Sequence, residues 1–547
     1  ITKFGDVDKN IPYNNFPMAH RKITTMQFGK LYPSLVKEII PGDKISLRSS
    51  KLLRMLPLLA PLMTNARVQE DVYFVPNRIL WSNWEKFITG TGTDIEFPRV
   101  KIDASEMGTN ITQSQTIWSY LGIPITGYPT PMTINNYFNA LPFAAYNAIY
   151  NEYYRNDYLQ DEIPSIVTDG DTNDSWIGFA NNGPYLKNWT KDYFFGATPT
   201  PQHGINVLLP VTTKNDIDVF LRTRAEITAA GHNPDDGNPW VNVADDTLPG
   251  GSTAALQTIN TTRKTLMGGT SDLFLKLDPQ GSLGVKINEQ AVTIDALKTA
   301  MALQTFLERD LVGGLHYIDN ILTHFGVIVP DYRAQVPEFI GSISQNFDIT
   351  EVLSKSEAID GEDVMPLGSY AGHGFSASGS QEMSYYATEH GFLMSIISII
   401  PELVYPNTGL KKFWTKYDRT DYAFPTFAEL GMQPVYRDEL YWTGGEPEVW
   451  GYRPIYDDYR FEQSIASGDI TGSLDFWANY LKIYEAISLS ADTIKIDQRL
   501  YDLDRIFSID TNGPSEQILD YIYIDTHYDL TMMRKLPRFN IPNISGS

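Results

Sequence analysis

A mainly β fold, a sandwich or barrel with long connections, is what the sequence predicts, and three observations carry the prediction. Forty Gly and 33 Pro punctuate the 547 residues. Short runs rich in β-branched and aromatic residues lie between those turn signals, and few stretches hold a helical period for long. Strands do not alternate regularly with helices, which disfavours bundles and doubly wound sheets.

Taken in chain order, Val72–Pro76 (VYFVP) reads as the first clear strand. Residues 139–155 then break the β pattern: Leu141, Ala144, Ala145, Ala148 and Ile149 fall on one helical face, Asn139 is a natural N-cap, and Pro142 sits in the first turn, where its missing N–H costs nothing. Residues 205–290 are rich in Thr, Asn, Asp and Gly with weak periodicity, which predicts a surface insertion. A second helix is predicted over 293–312, with Leu297, Ala300, Met301, Leu303, Phe306 and Leu307 apolar and Gly313-Gly314 ending it. Phe325–Pro330 (FGVIVP), the run after Gly391 (FLMSIISII) and Val435–Trp442 (VYRDELYW) read as further strands. No repeat and no low-complexity linker divides the chain, so one elaborated domain over 1–547 is expected.

Charge excludes some roles. Lys and Arg number 43 against 66 Asp and Glu, a net charge of −23, so bulk positive charge cannot make the whole chain a nucleic-acid coat. The absence of cysteine removes disulfides, thiolate metal sites and cysteine nucleophiles together. The longest apolar stretch, after Gly391, is about half the roughly 20 residues a spanning helix needs, so no membrane insertion is expected. The sequence opens at Ile1, which leaves room for a preceding leader or arm.

Catalytic motifs mostly fail on inspection. None of the eight His lies in a H-E-x-x-H arrangement, and no P-loop sequence is present. Gly372–Ala377 (GHGFSA) nominally matches a dinucleotide fingerprint, but SASGSQ follows where an apolar helix should, and a flexible Gly-rich loop is predicted instead. Asp169–Asp174 has a faint look of a calcium loop without the bidentate Glu, and reads as a solvated acidic turn. No cofactor is expected, and bound cations stay unassigned.

Positive charge is local. Arg21, Lys22, Lys30 and Lys37 follow one another with no acid between Met18 and Lys37, and Arg534, Lys535 and Arg538 do the same near the C-terminus. Ordinary solvated or ion-paired groups are one reading. The functional reading is a DNA-facing surface carried by Arg21, Lys22, Lys30, Arg534, Lys535 and Arg538, with neighbouring aromatic rings as stacking faces.

Several blocks together resemble the major capsid proteins of Microviridae, small single-stranded-DNA bacteriophages, and their gokushovirus-like branch in particular. They include AHRKITTMQFGKLYPSLVKEIIPGDKISL (19–47), VYFVPNRILWSNWEKF (72–87), LPFAAYNAIYNEYYRNDYLQ (141–160), WTKDYFFGATPTPQHG (189–204), FLERDLVGGLHYIDNILTHFGVIVPDYRAQVPEFIG (306–341) and LKKFWTKYDRTDYAFPTFAELG (410–431). GYRPIYDDYRF (451–461) and GSLDFW (472–477) follow in the same order. The blocks cover about a third of the chain, and it is their collinearity that makes the match specific.

The resemblance implies an eight-stranded viral jelly roll of two antiparallel sheets with long, partly helical inter-strand insertions. It implies self-assembly of sixty copies into a T = 1 icosahedral shell around a circular single-stranded DNA genome. The 205–290 stretch would then be an outer protrusion facing a host receptor. A shell needs broad contacts, and Trp81, Trp84, Phe87, Tyr146, Tyr150, Phe413, Trp414 and Tyr422 are candidates for core or intersubunit contact. Sixty chains at −23 cannot neutralise a genome, so a small basic DNA-binding virion protein or cations are expected as partners. Pilot or scaffolding proteins and a host surface receptor are further candidates. Location in the virion, after assembly in the bacterial host cytoplasm, follows. Two other classes stay open at this point: a trimeric receptor-binding phage adhesin, and a carbohydrate-active β-sandwich enzyme with a convergent carboxylate pair.

Overall fold

The computed structural model describes residues 13–92, 94–101, 113–124, 137–171, 183–204, 207, 218–221, 283–286, 294–347, 349–353, 370–377, 382–483, 487–507 and 519–537. Two compact units divide the chain, one made of residues 1–204 with 307–547 and the other of 205–306. The second holds an antiparallel pair, Asp218–Leu221 with Leu283–Lys286. Apart from that pair and one isolated residue, the predicted insertion over 205–290 lies outside the described residues.

The first unit is built on two antiparallel sheets. The strands of these two sheets in chain order are β1 (Asn14–Pro17), β2 (His20–Met26), β3 (Tyr32–Ile39), β4 (Lys44–Met55), β5 (Ala66–Pro76), β6 (Glu338–Phe347), β7 (Ile349–Leu353), β8 (Tyr370–Ala377), β9 (Glu382–Tyr386), β10 (Gly391–Pro401) and β11 (Ile522–Arg534). In one sheet β11 is central: one edge carries β2 and then β1, and the other pairs with β4 from Ile522↔Met55 to Met533↔Lys44. Both β8 and β9 pair with the far edge of β4, and β7 pairs with β8. The other sheet runs β6-β5-β10-β3.

Period-2 patterning explains how the sheets stack. In β11, Ile522, Ile524, Tyr528, Leu530 and Met532 are buried while Tyr523, His527 and Asp529 are not. Leu530 and Met532 join Ile45 and Leu47 of β4, Val72 and Phe74 of β5, Leu35 and Ile39 of β3 and Leu393 of β10 in one apolar layer between the sheets. Intervening residues of the second sheet, Tyr73, Val75, Met394 and Ile396, face the opposite way into a layer with helix α1 (Leu141–Tyr153). Covered on both faces, β10 is buried along its whole length and reads as a continuous apolar run. Gly391 opens it because a Cβ there would collide with the Val75 carbonyl and the Phe74 ring.

Inside the sandwich sits a polar knot that the apolar pattern does not announce. Lys51 and Ser49 occupy inward positions of β4, and Lys51 Nζ lies 2.6 Å from Glu70 Oε2 of β5 with side-chain exposures of 1% and 0%. The Tyr528 hydroxyl donates to Glu70 Oε1 at 2.9 Å and lies 2.6 Å from Ser34 Oγ and 3.1 Å from Ser395 Oγ, whose own hydroxyls can donate to it. Burial alone would raise the Glu70 pKa, but Lys51 and the Ser49 and Tyr528 hydroxyls hold it below its ordinary value. The knot joins the sheets through β4 and β11 on one side and β3, β5 and β10 on the other.

Several sequence expectations meet the structure directly. The 139–155 helix forms as α1; its backbone cap is Ala140, while Asn139 Oδ1 accepts from the Leu141 N–H at 2.9 Å. The second helix forms as α2 (Ile294–Gly313), ended by Gly314 at φ +113°. Of its predicted apolar face, Leu297, Met301, Leu303 and Phe306 remain exposed, and Leu311 beyond them is buried. Phe325–Pro330 is not a strand. Helix α3 (Tyr317–Phe325) runs into its first residue, Gly326 terminates the helix in the left-handed region, and Val327 and Ile328 are exposed. Val435–Trp442 is a strand only through Tyr436, where a 3₁₀ turn at Arg437–Glu439 stops it. Gly372–Ala377, predicted as a loop, lies within β8. There cross-strand pairing with β4 and β7 overrides glycine's weak strand preference.

Candidate functional site

Strand pairing brings the two basic segments together from opposite ends of the chain. β2 lies on β11 with Arg21 opposite His527 and Lys22 opposite Thr526, and β1 extends the same edge with Asn14 opposite Arg534. That edge also supplies acids. Arg21 is exposed but pairs with Asp525, whose carboxyl is held below its usual range by that contact. Arg534 lies 2.9 Å from Asp43 Oδ2 and donates to the Glu38 carbonyl. Lys535 is exposed, 5.4 Å from the Tyr13 ring centre, which is a cation–π arrangement.

Two of the expected DNA-facing lysines point inward. Lys22 Nζ donates to the carbonyls of Pro33 (3.0 Å) and Tyr120 (2.7 Å), and burial pushes its pKa down to about 8. Lys30 is also held below its ordinary value by burial, with Asp520 and Asp497 opposing that effect. Arg538 lies outside the described residues.

The eight aromatic candidates divide cleanly. Trp81, Tyr146 and Tyr150 are core. The Trp81 indole N–H donates to Asp169 Oδ1 at 2.6 Å, which gives the acidic turn a structural task. The Tyr146 hydroxyl donates to the Leu31 carbonyl at 2.8 Å, fixing α1 on the sheet, and both Tyr146 and Tyr150 pack on Tyr185. Trp84 is half-buried and Phe87 partly exposed at the rim of the Trp81 cluster. Phe413, Trp414 and Tyr422 are exposed, and belong to a segment whose turns are tied down.

That tying is specific. The N–H groups of Tyr417 and Asp418 donate to Asp421 Oδ2 at 2.9 and 2.7 Å, while Asp418 caps the turn by accepting from Arg419 N–H at 2.6 Å. Lys416 bonds Asp458 at 2.6 Å and lies 4.1 Å from the Tyr459 ring centre. Alongside is a cavity of about 520 Å³ lined by Lys411, Lys412, Lys416, Phe413, Tyr422 and Phe461 among others.

A larger cleft of about 870 Å³ lies among the segments around Glu152–Leu159, Lys187–Pro199, Leu311–Asp319 and Tyr452–Phe461. His316 stands there between two carboxylates, Nε2 2.9 Å from Asp157 and Nδ1 3.4 Å from Glu152. Hydrogen bonds to Asp157 and Glu152 outweigh burial and push the His316 pKa up to about 10, so it is a cation at neutral pH. Asp157 also holds Arg155 at 2.7 Å, and Asp457 holds Arg453 and Arg460. These carboxylates clamp loops together through cations, unlike an acid–base pair facing a substrate. Among the described residues no group of three or more His, Asp or Glu is placed to hold a metal. No helix among them is long and apolar enough to cross a membrane.

The family model described as "Capsid protein (F protein)" matches residues 6–544. The chain belongs to that family. Relatives agree along their whole length: a capsid protein VP1 of Chlamydia phage 1 is 28% identical, the alignment covering 99% of this chain and 97% of the relative. A capsid protein VP1 of Bdellovibrio phage phiMH2K is 29% identical over 95% and 93%, and one of Spiroplasma virus 4 is 24% identical over 98% and 96%. The resemblance to Microviridae capsid proteins is thus borne out. This capsid protein has a structural role, self-assembles, and is located in the virion.

Proposed function

We propose that this capsid protein closes into a T = 1 icosahedral shell of sixty copies around a circular single-stranded DNA genome, with the two-sheet sandwich as its jelly roll. The observation that carries the reading is the family match from residue 6 to residue 544. The 205–290 stretch would supply a variable outer surface able to meet a host receptor.

Charge shapes the rest of the proposal. At −23 per chain the shell repels the genome it encloses, so a small basic virion protein or polycations must accompany the DNA. On the chain itself, the β1–β2–β11 edge is the DNA-facing surface we favour, with Arg21, Arg534 and Lys535 as its contacts. Lys22 and Lys30, turned inward, position the edge. Assembly would take place in the bacterial host cytoplasm with pilot or scaffolding proteins.

Light scattering with negative-stain microscopy tests the central claim. Closed shells of about sixty chains protecting single-stranded DNA from nuclease are expected. A stable trimer under every assembly condition, or shells around no nucleic acid, would overturn it.

A further inference from the structure

Resting on the capsid reading, we infer that the exposed aromatic segment Phe413–Leu430 is a principal contact between neighbouring copies of this chain. Phe413, Trp414, Tyr417, Tyr422, Phe427 and Leu430 are all exposed, Trp414 by 62% and Tyr417 by 89%. At about 200 Å² per aromatic side chain they present roughly 700 Å² of apolar surface within one short segment. That sum, gathered within one short segment, is close to the ~800 Å² that each partner brings to a stable interface.

The segment is built to be presented, since flexible surface loops do not carry such constraints. Its turns are held by the Asp418 and Asp421 side chains, and Lys416 is nearly buried between Asp458 and the Tyr459 ring. Arg419 covers the Phe424 ring at 5.6 Å. Rotamer and backbone entropy is thereby lost on folding, before any partner arrives, which lowers the cost of docking. Two charges beside the segment are already matched, Lys411 with Glu462 and Lys416 with Asp458, so a partner can cover them without stranding either ion. Beside the protruding Phe413 and Trp414, the cavity of about 520 Å³ offers an aromatic-walled recess for a neighbour's side chain. Protruding rings, a recess and a paired polar rim together form the anatomy of an interface centre. A second copy is the occupant we commit to, because a self-assembling shell protein must cover comparable area on every subunit with itself.

The absence of cysteine makes the test clean. Ala428→Cys, a small exchange at an exposed position inside the segment, supplies a unique thiol. It should react with a maleimide at least tenfold more slowly in purified particles than in the free subunit. A thiol–amine cross-linker on particles should give chain–chain products. In parallel, Trp414→Ser with Tyr417→Ser should leave the free subunit's circular dichroism and melting unchanged while cutting shell yield at least tenfold. Equal labelling in particles and free subunits, cross-links only to another virion protein, or wild-type yield from the double variant would overturn the interface while leaving the capsid reading intact. Failure of the unmodified chain to form shells would refute the capsid reading and the interface with it.

Discussion

Removing one member of the buried Lys51–Glu70 pair should be among the most damaging single changes available in the sandwich. Both side chains are essentially without solvent, 2.6 Å apart, and Glu70 also accepts from Ser49 and Tyr528. Lys51→Met leaves a carboxylate with two hydroxyl donors and no cation, and Glu70→Gln leaves an ammonium whose nearest remaining partner is Ser49 at 3.0 Å. Each should cost about 3–5 kcal/mol, the usual penalty for stranding a buried charge. Lys51→Met with Glu70→Leu should recover most of that, since well-packed apolar replacements of buried pairs are often neutral or better. The pH dependence has a definite sign. The folded-state pKa of Glu70 is depressed, so its stabilisation is fully present above the unfolded carboxylate value near ~4.3 and is lost as pH falls through the lower folded value. Urea denaturation of the unassembled subunit across pH 2–7 measures both effects. Single variants costing less than about 1 kcal/mol, or a Glu70→Gln acid limb identical to wild type, would refute the reasoning.

Four further outcomes follow from other sites. His316, raised to about 10, contributes stability that is fully present below its unfolded value near ~6.5 and lost as pH rises through 10; His316→Gln should lower the melting temperature at pH 7 and leave it unchanged at pH 11. Lys22, lowered to about 8 by burial, makes the folded state bind fewer protons than the unfolded one between pH 8 and its ordinary value, so stability should rise with pH in that window. Lys22→Gln should flatten the rise in a pH series of melts. On the proposed DNA-facing edge, Arg21→Glu should reduce the DNA content of purified particles, read from the 260/280 nm absorbance ratio. Lys30→Gln should instead change subunit melting, because Lys30 is turned into the protein.

Much of the secondary structure was legible in sequence where burial is two-sided or a helix has a dense apolar stripe. The run from Gly391 has no polar alternation because the apolar layer of the sandwich and α1 cover its two faces. The α1 stripe was visible because Ala144, Ala145 and Ile149 recur at helical spacing. The FGVIVP run misled because apolar content was taken for a strand where none of the described strands pairs with it, and Gly326 merely ends α3.

The sequence by itself determined the β-rich class, the exclusion of thiol chemistry, the acidic balance and, through collinear blocks, the capsid family. Those properties are sums or local patterns, and need no knowledge of what meets what. The tertiary structure alone decided the fate of individual charges and rings. Arg21 and Arg534 have no acid near them in sequence, yet antiparallel pairing sets Asp525 beside the first, and folding brings Asp43 to the second from nearly five hundred residues away. Trp81 and Trp414 sit in equally aromatic sequence, but one is closed under a helical layer and the other stands 62% exposed on a braced segment. Long-range pairing is what separates them: a local pattern can say that a residue favours contact, and only the fold says whether its own chain supplies that contact.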